Sequence, residues 1–243
     1  MIITVAFYCP NPARVFLCID HPKKKYSKHL MRQIGQKGDL VVGLQKVEIP
    51  IPFGMKKLRI KAMDMQTNKP LYCKVISKKR TKKIPLRTTN QVSKFIEFAK
   101  VFATHSGTYK NRKYKDKTGE FTINLVNQII ENGKIVPTIA RVDHYTGQID
   151  IVAPKWKTLT IYNRFMILCH EFYHYYKNTT SEFDCDYFAY IIAKQLGISQ
   201  TERLYSLIRV FNSIKEGSEK EARIFTMHDL ILQEINQNHN HVN

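Results

Sequence analysis

Residues 164–190 read RFMILCHEFYHYYKNTTSEFDCDYFAY, and this stretch decides the fold of the C-terminal half. His170 and His174 are four residues apart, so on a helix they lie on one face, about one turn from each other. Two imidazoles at this spacing can bind one zinc ion. Glu171, beside the first histidine, is then the predicted general base toward a water on the metal.

The rest of a zinc site is predicted from the residues that follow. A hydrolytic zinc site takes three protein ligands and keeps one position open for water. Glu182 opens the next predicted helix after a short turn and is the natural third ligand. Asp186, one turn further on, can accept a hydrogen bond from a ligating histidine, which fixes the tautomer of that histidine. We therefore expect one Zn²⁺ per chain; the alternative is a pair of structural histidines on a buried helix.

The segments RFMILCHEFYH and EFDCDYFA resemble the signature of the gluzincin metallopeptidases, and most of all the ImmA/IrrE type. That type carries an Arg-Phe-x-Leu-x-HExxH helix followed by a Glu-x-x-Ala-Asp-x-Phe-Ala helix. The resemblance covers about residues 135–200, and Cys185 stands where the pattern has alanine. It implies zinc ligands His170, His174 and Glu182, general base Glu171 and orienting residue Asp186.

The resemblance also implies a short sheet ahead of the active helix, whose edge strand pairs with an extended substrate. The segment at that place is QIDIV, which consists of Gln148, Ile149, Asp150, Ile151 and Val152. A peptidase of this sort needs a further donor toward the developing oxyanion. The sequence leaves that donor open among several side chains: His228, Tyr190, His144, Tyr173 and Tyr187.

Periodicity predicts the elements around the motif. Apolar residues at helical spacing predict a helix at 90–104, and turn residues HYTG predict a hairpin at 137–153. Further helices are predicted at 162–177, 181–196, 200–214 and 218–236. On the first of these four, an apolar stripe that includes Phe165 and Phe172 is expected to face the core. The two histidines of the motif are expected to face away from that stripe.

The N-terminal part has a different character. Short β-type segments separated by prolines and glycines predict strands. Residues 1–120 hold 27 basic and 7 acidic residues, whereas residues 121–243 hold 12 and 13. We therefore expect an α+β chain in two parts. Residues 1–88 form a basic β-rich domain, and residues 89–243 form a zincin-like helical metallopeptidase domain with a small antiparallel sheet.

Three basic runs, at 21–29, 78–83 and 109–117, are expected on exposed loops. Clustered lysines and arginines release counterions from nucleic acid, so the runs predict contact with nucleic acid or with an acidic protein surface. The alternative is a solvated face that keeps the protein soluble. Tyr26, Tyr109 and Tyr114 lie among the runs and could stack on bases. The candidate anion contacts are Lys23, Lys24, Lys25, Lys78, Lys79, Arg80, Lys82, Lys83, Lys110, Arg112, Lys113 and Lys115.

The five cysteines include no CxxC pair, so a disulfide framework is not expected, and Cys169 and Cys185 read as small buried residues. No run of about eighteen apolar residues predicts a membrane span. The apolar start MIITVAFYC has no basic leader and reads as a strand. We therefore expect a protein of the cytoplasm of a bacterial or phage-infected cell, or of a virion.

Three functions are compatible with these features. The first is a zinc metallopeptidase acting on a peptide or protein substrate. The second is a structural or assembly protein of a phage or other oligomeric particle, which retains a zincin-like module. It is favoured by an N-terminal half without enzyme motifs and by a composition rich in Lys, Asn, Ile and Tyr, which suits an AT-rich mobile genome. The third is a basic regulator that binds nucleic acid.

Overall fold

The computed structural model describes residues 1–23, 26, 28–35, 39–51, 53, 57–79, 88–109, 111–211 and 217–239. Within these ranges the protein is a mixed α and β structure, which confirms the predicted α+β class. The N-terminal part contains β1 (Ile2–Ala13), β2 (Val15–Asp20), β3 (Lys28–Ile34), β4 (Val41–Pro50), β5 (Arg59–Asp64), β6 (Pro70–Leu71) and β7 (Cys73–Lys79).

These seven strands form two antiparallel sheets with the orders β4-β1-β7 and β3-β2-β5-β6. Their sequences alternate, so every second side chain points to the same face. Ile3, Val5 and Phe7 of β1 and Leu17 and Ile19 of β2 are buried in one shared core. The two sheets therefore pack face to face as a small sandwich, and the opposite face of each sheet is left for other contacts.

The C-terminal part combines short strands with the helices. Its strands are β8 (Lys113–Lys115), β9 (Thr122–Val126), β10 (Ile129–Glu131), β11 (Lys134–Val136), β12 (Ala140–Val142) and β13 (Ile149–Val152). Its helices are α1 (Asn90–His105), α2 (Ala153–Trp156), α3 (Ile161–Lys177), α4 (Glu182–Gln195), α5 (Gln200–Phe211) and α6 (Ser218–His239), with a 3-10 turn at Ser106–Thr108. The five predicted helices are confirmed, although residues 212–216 lie outside the described residues.

The small sheet has the order β12-β13-β9-β8. The predicted hairpin is confirmed, because β12 and β13 pair in antiparallel fashion across the turn at 143–147. The prediction of a wholly antiparallel sheet is wrong, since β13 pairs with β9 in parallel register. In sequence, the β10–β11 hairpin and then β12 lie between β9 and β13. These intervening strands return the chain, so that β13 runs in the same direction as β9.

Helix α3 is the central element of this part. Thr160 caps its N-terminus in a reciprocal pair of hydrogen bonds with Asn163, and Asn178 ends it in the left-handed conformation with φ 48°. The sequence predicts one apolar stripe, yet nearly every side chain from Ile161 to Phe172 is buried. Helices α1, α4 and α5 and strand β12 all pack around α3, so the face that carries the histidines is covered as well.

The two parts meet at Tyr162 of α3. Its hydroxyl donates to the carbonyl oxygen of Pro50 at 3.4 Å and lies 3.4 Å from Nδ1 of the buried His29. Phe53 packs edge-to-face against Tyr162 and Phe165, with ring centroids 5.6 and 5.1 Å away. Burial lowers the pKa of His29 to about 3, so this imidazole is neutral in the folded protein.

Candidate metal centre

Helices α3 and α4 bring three ligand groups to one point. Nε2 of His170 and Nε2 of His174 are 3.1 Å apart. Oε2 of Glu182 lies 3.2 Å from the first nitrogen, and Oε1 of Glu182 lies 3.4 Å from the second. A tetrahedron with zinc–ligand bonds of about 2.0–2.1 Å has edges of about 3.3–3.4 Å. The two imidazoles and the carboxylate therefore converge at separations close to those of ligands in a tetrahedral zinc site.

Both histidines present the correct ring nitrogen. Nδ1 of His170 lies 2.9 Å from Oδ1 of Asp186, and Nδ1 of His174 lies 2.8 Å from the carbonyl oxygen of Thr179. Each acceptor holds a proton on Nδ1, which directs Nε2 of both rings toward the centre. The predicted orienting role of Asp186 agrees with this contact.

Arg223 of α6 closes the centre on the side of the carboxylates and is not among the predicted site residues. Its guanidinium donates to both oxygens of Asp186 at 2.8 and 3.0 Å and lies 2.8 Å from Glu182. The side chain is buried and packs over the ring of Phe211. Arg223 follows the motif by about forty residues on a separate helix, so no local spacing reveals it.

Glu171 lies beside the ligand group and outside it. Its Oε2 accepts a hydrogen bond from the backbone N–H of Val142 on β12, at 2.9 Å. Burial raises the pKa of Glu171, and the two neighbouring histidines oppose that shift. A fixed carboxylate with a raised pKa at the wall of a pocket has the properties that a general base needs.

The electrostatics of the centre favour a cation. Burial alone would lower the pKa of His170, but hydrogen bonds with Asp186 and Glu182 outweigh it and raise that pKa to about 10. Burial also opposes ionisation of Glu182, yet hydrogen bonds with both histidines hold its pKa well below the usual value. The carboxylates thus stabilise positive charge at the point where the histidine nitrogens converge.

Cys185 offers a different third ligand. Its sulfur and the ligand nitrogens of His170 and His174 lie within 4.8 Å of one another, so these three residues could hold a metal ion. The thiol is fully buried, as the sequence predicts for this residue. Burial and then the charge of Glu182 raise its pKa, which disfavours the thiolate that a metal requires. Glu182, whose pKa is lowered by the two histidines, is the better third ligand.

The centre opens into a pocket of about 430 Å³, which His144, Glu171 and Arg223 also line. The ring of His144 lies 5.8 Å from that of His174. His228 and Tyr190, predicted as oxyanion donors, are not among the described residues of this lining. His228 is exposed on α6 beside Asp229, and Tyr190 is buried under Arg203. Both predictions are wrong, because their helix positions turn these side chains away from the pocket.

The predicted substrate strand is also corrected. Residues 149–152 of β13 pair on both sides, with β12 and with β9, so QIDIV is an interior segment of the sheet. Its neighbour β12 is the edge strand, and Ala140, Arg141 and Val142 line the pocket. The hairpin is found correctly from its turn, but the sequence does not reveal which of its two strands lies at the edge.

The candidate anion contacts lie partly on strands. Lys78 and Lys79 belong to β7, and Lys113 and Lys115 belong to β8, so these runs are not wholly loops as predicted. Lys23 is exposed in a turn, and Arg112 is exposed in a bend. The others lie outside the described residues, namely Lys24, Lys25, Arg80, Lys82, Lys83 and Lys110.

The tyrosines predicted as base-stacking groups are engaged with the protein itself. Tyr109 and Tyr114 stack on each other at 4.6 Å and pack against Phe102. The ammonium of Lys157 lies 5.6 Å from the ring of Tyr26. Tyr109 and Tyr114 therefore stabilise the core beside α1 and offer no free face to a base.

Comparisons with protein-family models, curated proteins and solved structures found no match to this chain. Among the described helices, none has the length and apolar character that a membrane crossing requires.

Proposed function

We propose that this protein is a zinc-dependent metallopeptidase. The observation that carries the proposal is the convergence of His170, His174 and Glu182, whose ligand groups lie 3.1–3.4 Å from one another and whose histidines both direct Nε2 inward. Two imidazoles and one carboxylate are the ligands of many hydrolytic zinc centres. Zinc held there would supply Lewis acidity toward a water and toward the carbonyl group of a substrate.

Each remaining residue of the pocket has a task in this proposal. Glu171 accepts a proton from the attacking water and returns it to the leaving amine, and the N–H of Val142 holds its carboxylate in place. Asp186 keeps His170 in the required tautomer. Arg223 contacts the carboxylates of both Asp186 and Glu182 and holds them in fixed positions relative to each other. His144 lines the same pocket and is the nearest candidate donor to the developing oxyanion.

The substrate class follows from strand β12. In the described part of the chain β12 pairs with no strand other than β13, so its other edge, apart from the Val142 N–H that donates to Glu171, faces the pocket without a strand partner. An extended peptide could add to this edge by backbone hydrogen bonds, which would bring its peptide bond beside Glu171. We therefore propose that the substrate is an extended segment of a peptide or protein.

Zinc content and hydrolysis test the proposal together. Protein purified without a polyhistidine tag is expected to hold about one equivalent of zinc and to cleave members of a mixed peptide library detected by mass spectrometry. Glu171→Gln should retain the zinc and lose the cleavage, whereas His174→Ala should lose both. Less than about half an equivalent of zinc, or equal cleavage by wild type and Glu171→Gln, would overturn it.

A further inference from the structure

The outward face of the sheet β4-β1-β7 is unusual for a solvated surface. Odd-numbered residues of β1 point into the sandwich core, and even-numbered residues point outward. Phe7 is 1% exposed, whereas its neighbour Tyr8 is 54% exposed. A large aromatic ring therefore lies on the open side of a sheet whose other side is fully packed.

Tyr8 has an exposed neighbour on each side, one on β4 and one just before β7. The register places Leu44 of β4 opposite Tyr8, and residues directly opposite in an antiparallel pair share a face. On the other side, the N–H of Tyr8 donates to the carbonyl oxygen of Tyr72 at 3.4 Å. Leu44 is 63% exposed and Tyr72 is 73% exposed. Two exposed tyrosines, joined by this backbone hydrogen bond and with Leu44 beside Tyr8, are the residues of the aromatic platform.

A row of lysines runs parallel to this platform. Lys46 of β4 and Lys74 of β7 both lie opposite Ala6, whose small side chain separates them. Both lysines are exposed, and the row lies two residues, or about 7 Å, further along the strands. Glu48, on the next row of β4, is the nearest acidic side chain of this face. Aromatic and cationic groups are thus arranged in two neighbouring lines.

The charge of the surrounding region selects the partner. Residues 1–88 hold 20 basic and 4 acidic residues, so the sandwich attracts a polyanion. Unpaired bases present flat π faces that stack on aromatic side chains, and their phosphates bind lysines. The bases of a duplex are already stacked on one another, so they cannot use such a platform.

We propose that the outward face of β4-β1-β7 binds single-stranded nucleic acid without sequence preference. Bases stack on Tyr8 and Tyr72, and phosphates contact Lys46 and Lys74. The features that are recognised, unpaired bases and phosphates, are common to DNA and RNA. This site is separate from the metal centre and does not depend on the proposed peptidase activity.

Fluorescence anisotropy with the full chain tests this inference. The probes are labelled oligo(dT) and oligo(rU) of about twenty nucleotides and a duplex of equal length, at low and moderate salt. Tyr8→Ala combined with Tyr72→Ala should weaken single-strand binding about tenfold or more. Tyr8→Phe combined with Tyr72→Phe should retain it, because stacking requires the ring and not the hydroxyl group.

A matched pair of charge reversals serves as the control. Lys46→Glu with Lys74→Glu should abolish most binding, whereas Lys113→Glu with Lys115→Glu, an equal change on β8, should alter it less than about threefold. Equal losses in both pairs would show general attraction and overturn the site. Undiminished binding by the double alanine variant, duplex binding as tight as single-strand binding, or tighter binding of polyglutamate than of either oligonucleotide would also overturn it.

Discussion

The metal centre and the outward face of the β4-β1-β7 sheet are built in opposite ways. The centre gathers side chains from α3, α4 and α6 into one buried network in which each group fixes another. The sheet face takes alternate positions of three strands and leaves them exposed and independent of one another. Removing a group from the network should therefore have large, non-additive effects. Removing one from the face should change binding and leave stability nearly unchanged.

The largest expected effect decides the third ligand of the network. Glu182→Ala should lower zinc affinity by about a hundredfold or more, because a first ligand contributes more than the tenfold to hundredfold of an orienting partner. Cys185→Ala should lower it less than about threefold, since burial raises the pKa of its thiol and disfavours the thiolate. Competition with a chromophoric zinc chelator measures both affinities. The opposite ranking of the two variants would assign the ligand to Cys185.

Arg223 tests whether the network is held together as a unit. Arg223→Met removes the cation that pairs with two buried carboxylates, so the free energy of unfolding should fall by about 3 kcal/mol. Arg223→Lys keeps the positive charge but loses the planar set of N–H donors, so we expect an intermediate decrease in the free energy of unfolding. Urea unfolding of metal-free protein measures both. A loss below about 0.5 kcal/mol in the methionine variant would show that the pairs contribute as little as surface pairs.

The difference between the two regions also explains what the sequence could predict. His170, Glu171, His174, Glu182 and Asp186 lie on two adjacent helices, where helical spacing converts sequence separation directly into geometry. The same regularity places α1, α3, α4, α5 and α6 within a few residues of their predicted positions, whereas the four-residue α2 is not predicted. Such local rules require only that the helix forms.

Long-range pairing is what the sequence does not reveal. Arg223 enters the site because α6 packs on α4, and no spacing rule encodes that contact. The resemblance implies that β13 is the edge strand, and nothing local in the sequence indicates that β9 pairs with it. The platform of Tyr8 and Tyr72 exists only because β7 pairs with β1 across more than sixty intervening residues. Each of these contacts depends on topology, which is fixed by the packing of the whole chain.

The junction between the two parts gives the next prediction, through the pH dependence of stability. His29 has a pKa of about 3 in the folded protein, below its ordinary value of 6.5, so the native state binds fewer protons between these values. Its contribution to stability is present above pH 6.5 and is lost as the pH falls toward 3. Glu202, buried near Arg32, has a pKa raised by burial to about 7 from 4.5, and its contribution is lost as the pH rises through that range.

The two groups therefore oppose each other between pH 5 and 6.5. The free energy of unfolding of the wild type should change little there. In Glu202→Gln only the effect of His29 remains, so the free energy of unfolding should rise with pH by about 2 kcal/mol over that range. His29→Gln should show the reverse slope. Urea unfolding at several pH values measures the three curves, and parallel curves would contradict the assignment of these buried groups.

The smallest effect is expected on the sheet face and completes the contrast. Tyr8→Ala and Tyr72→Ala remove side chains that are more than half exposed, so each should change the free energy of unfolding by no more than about 0.5 kcal/mol. Phe7→Ala, one residue away on the same strand, should cost about 3–5 kcal/mol, because that ring is buried in the sandwich core. Thermal and urea unfolding of the three variants measures the difference. A cost for Tyr8→Ala comparable to that of Phe7→Ala would mean that the aromatic platform stabilises the sheet, and its exposed rings would then be explained by folding and not by binding.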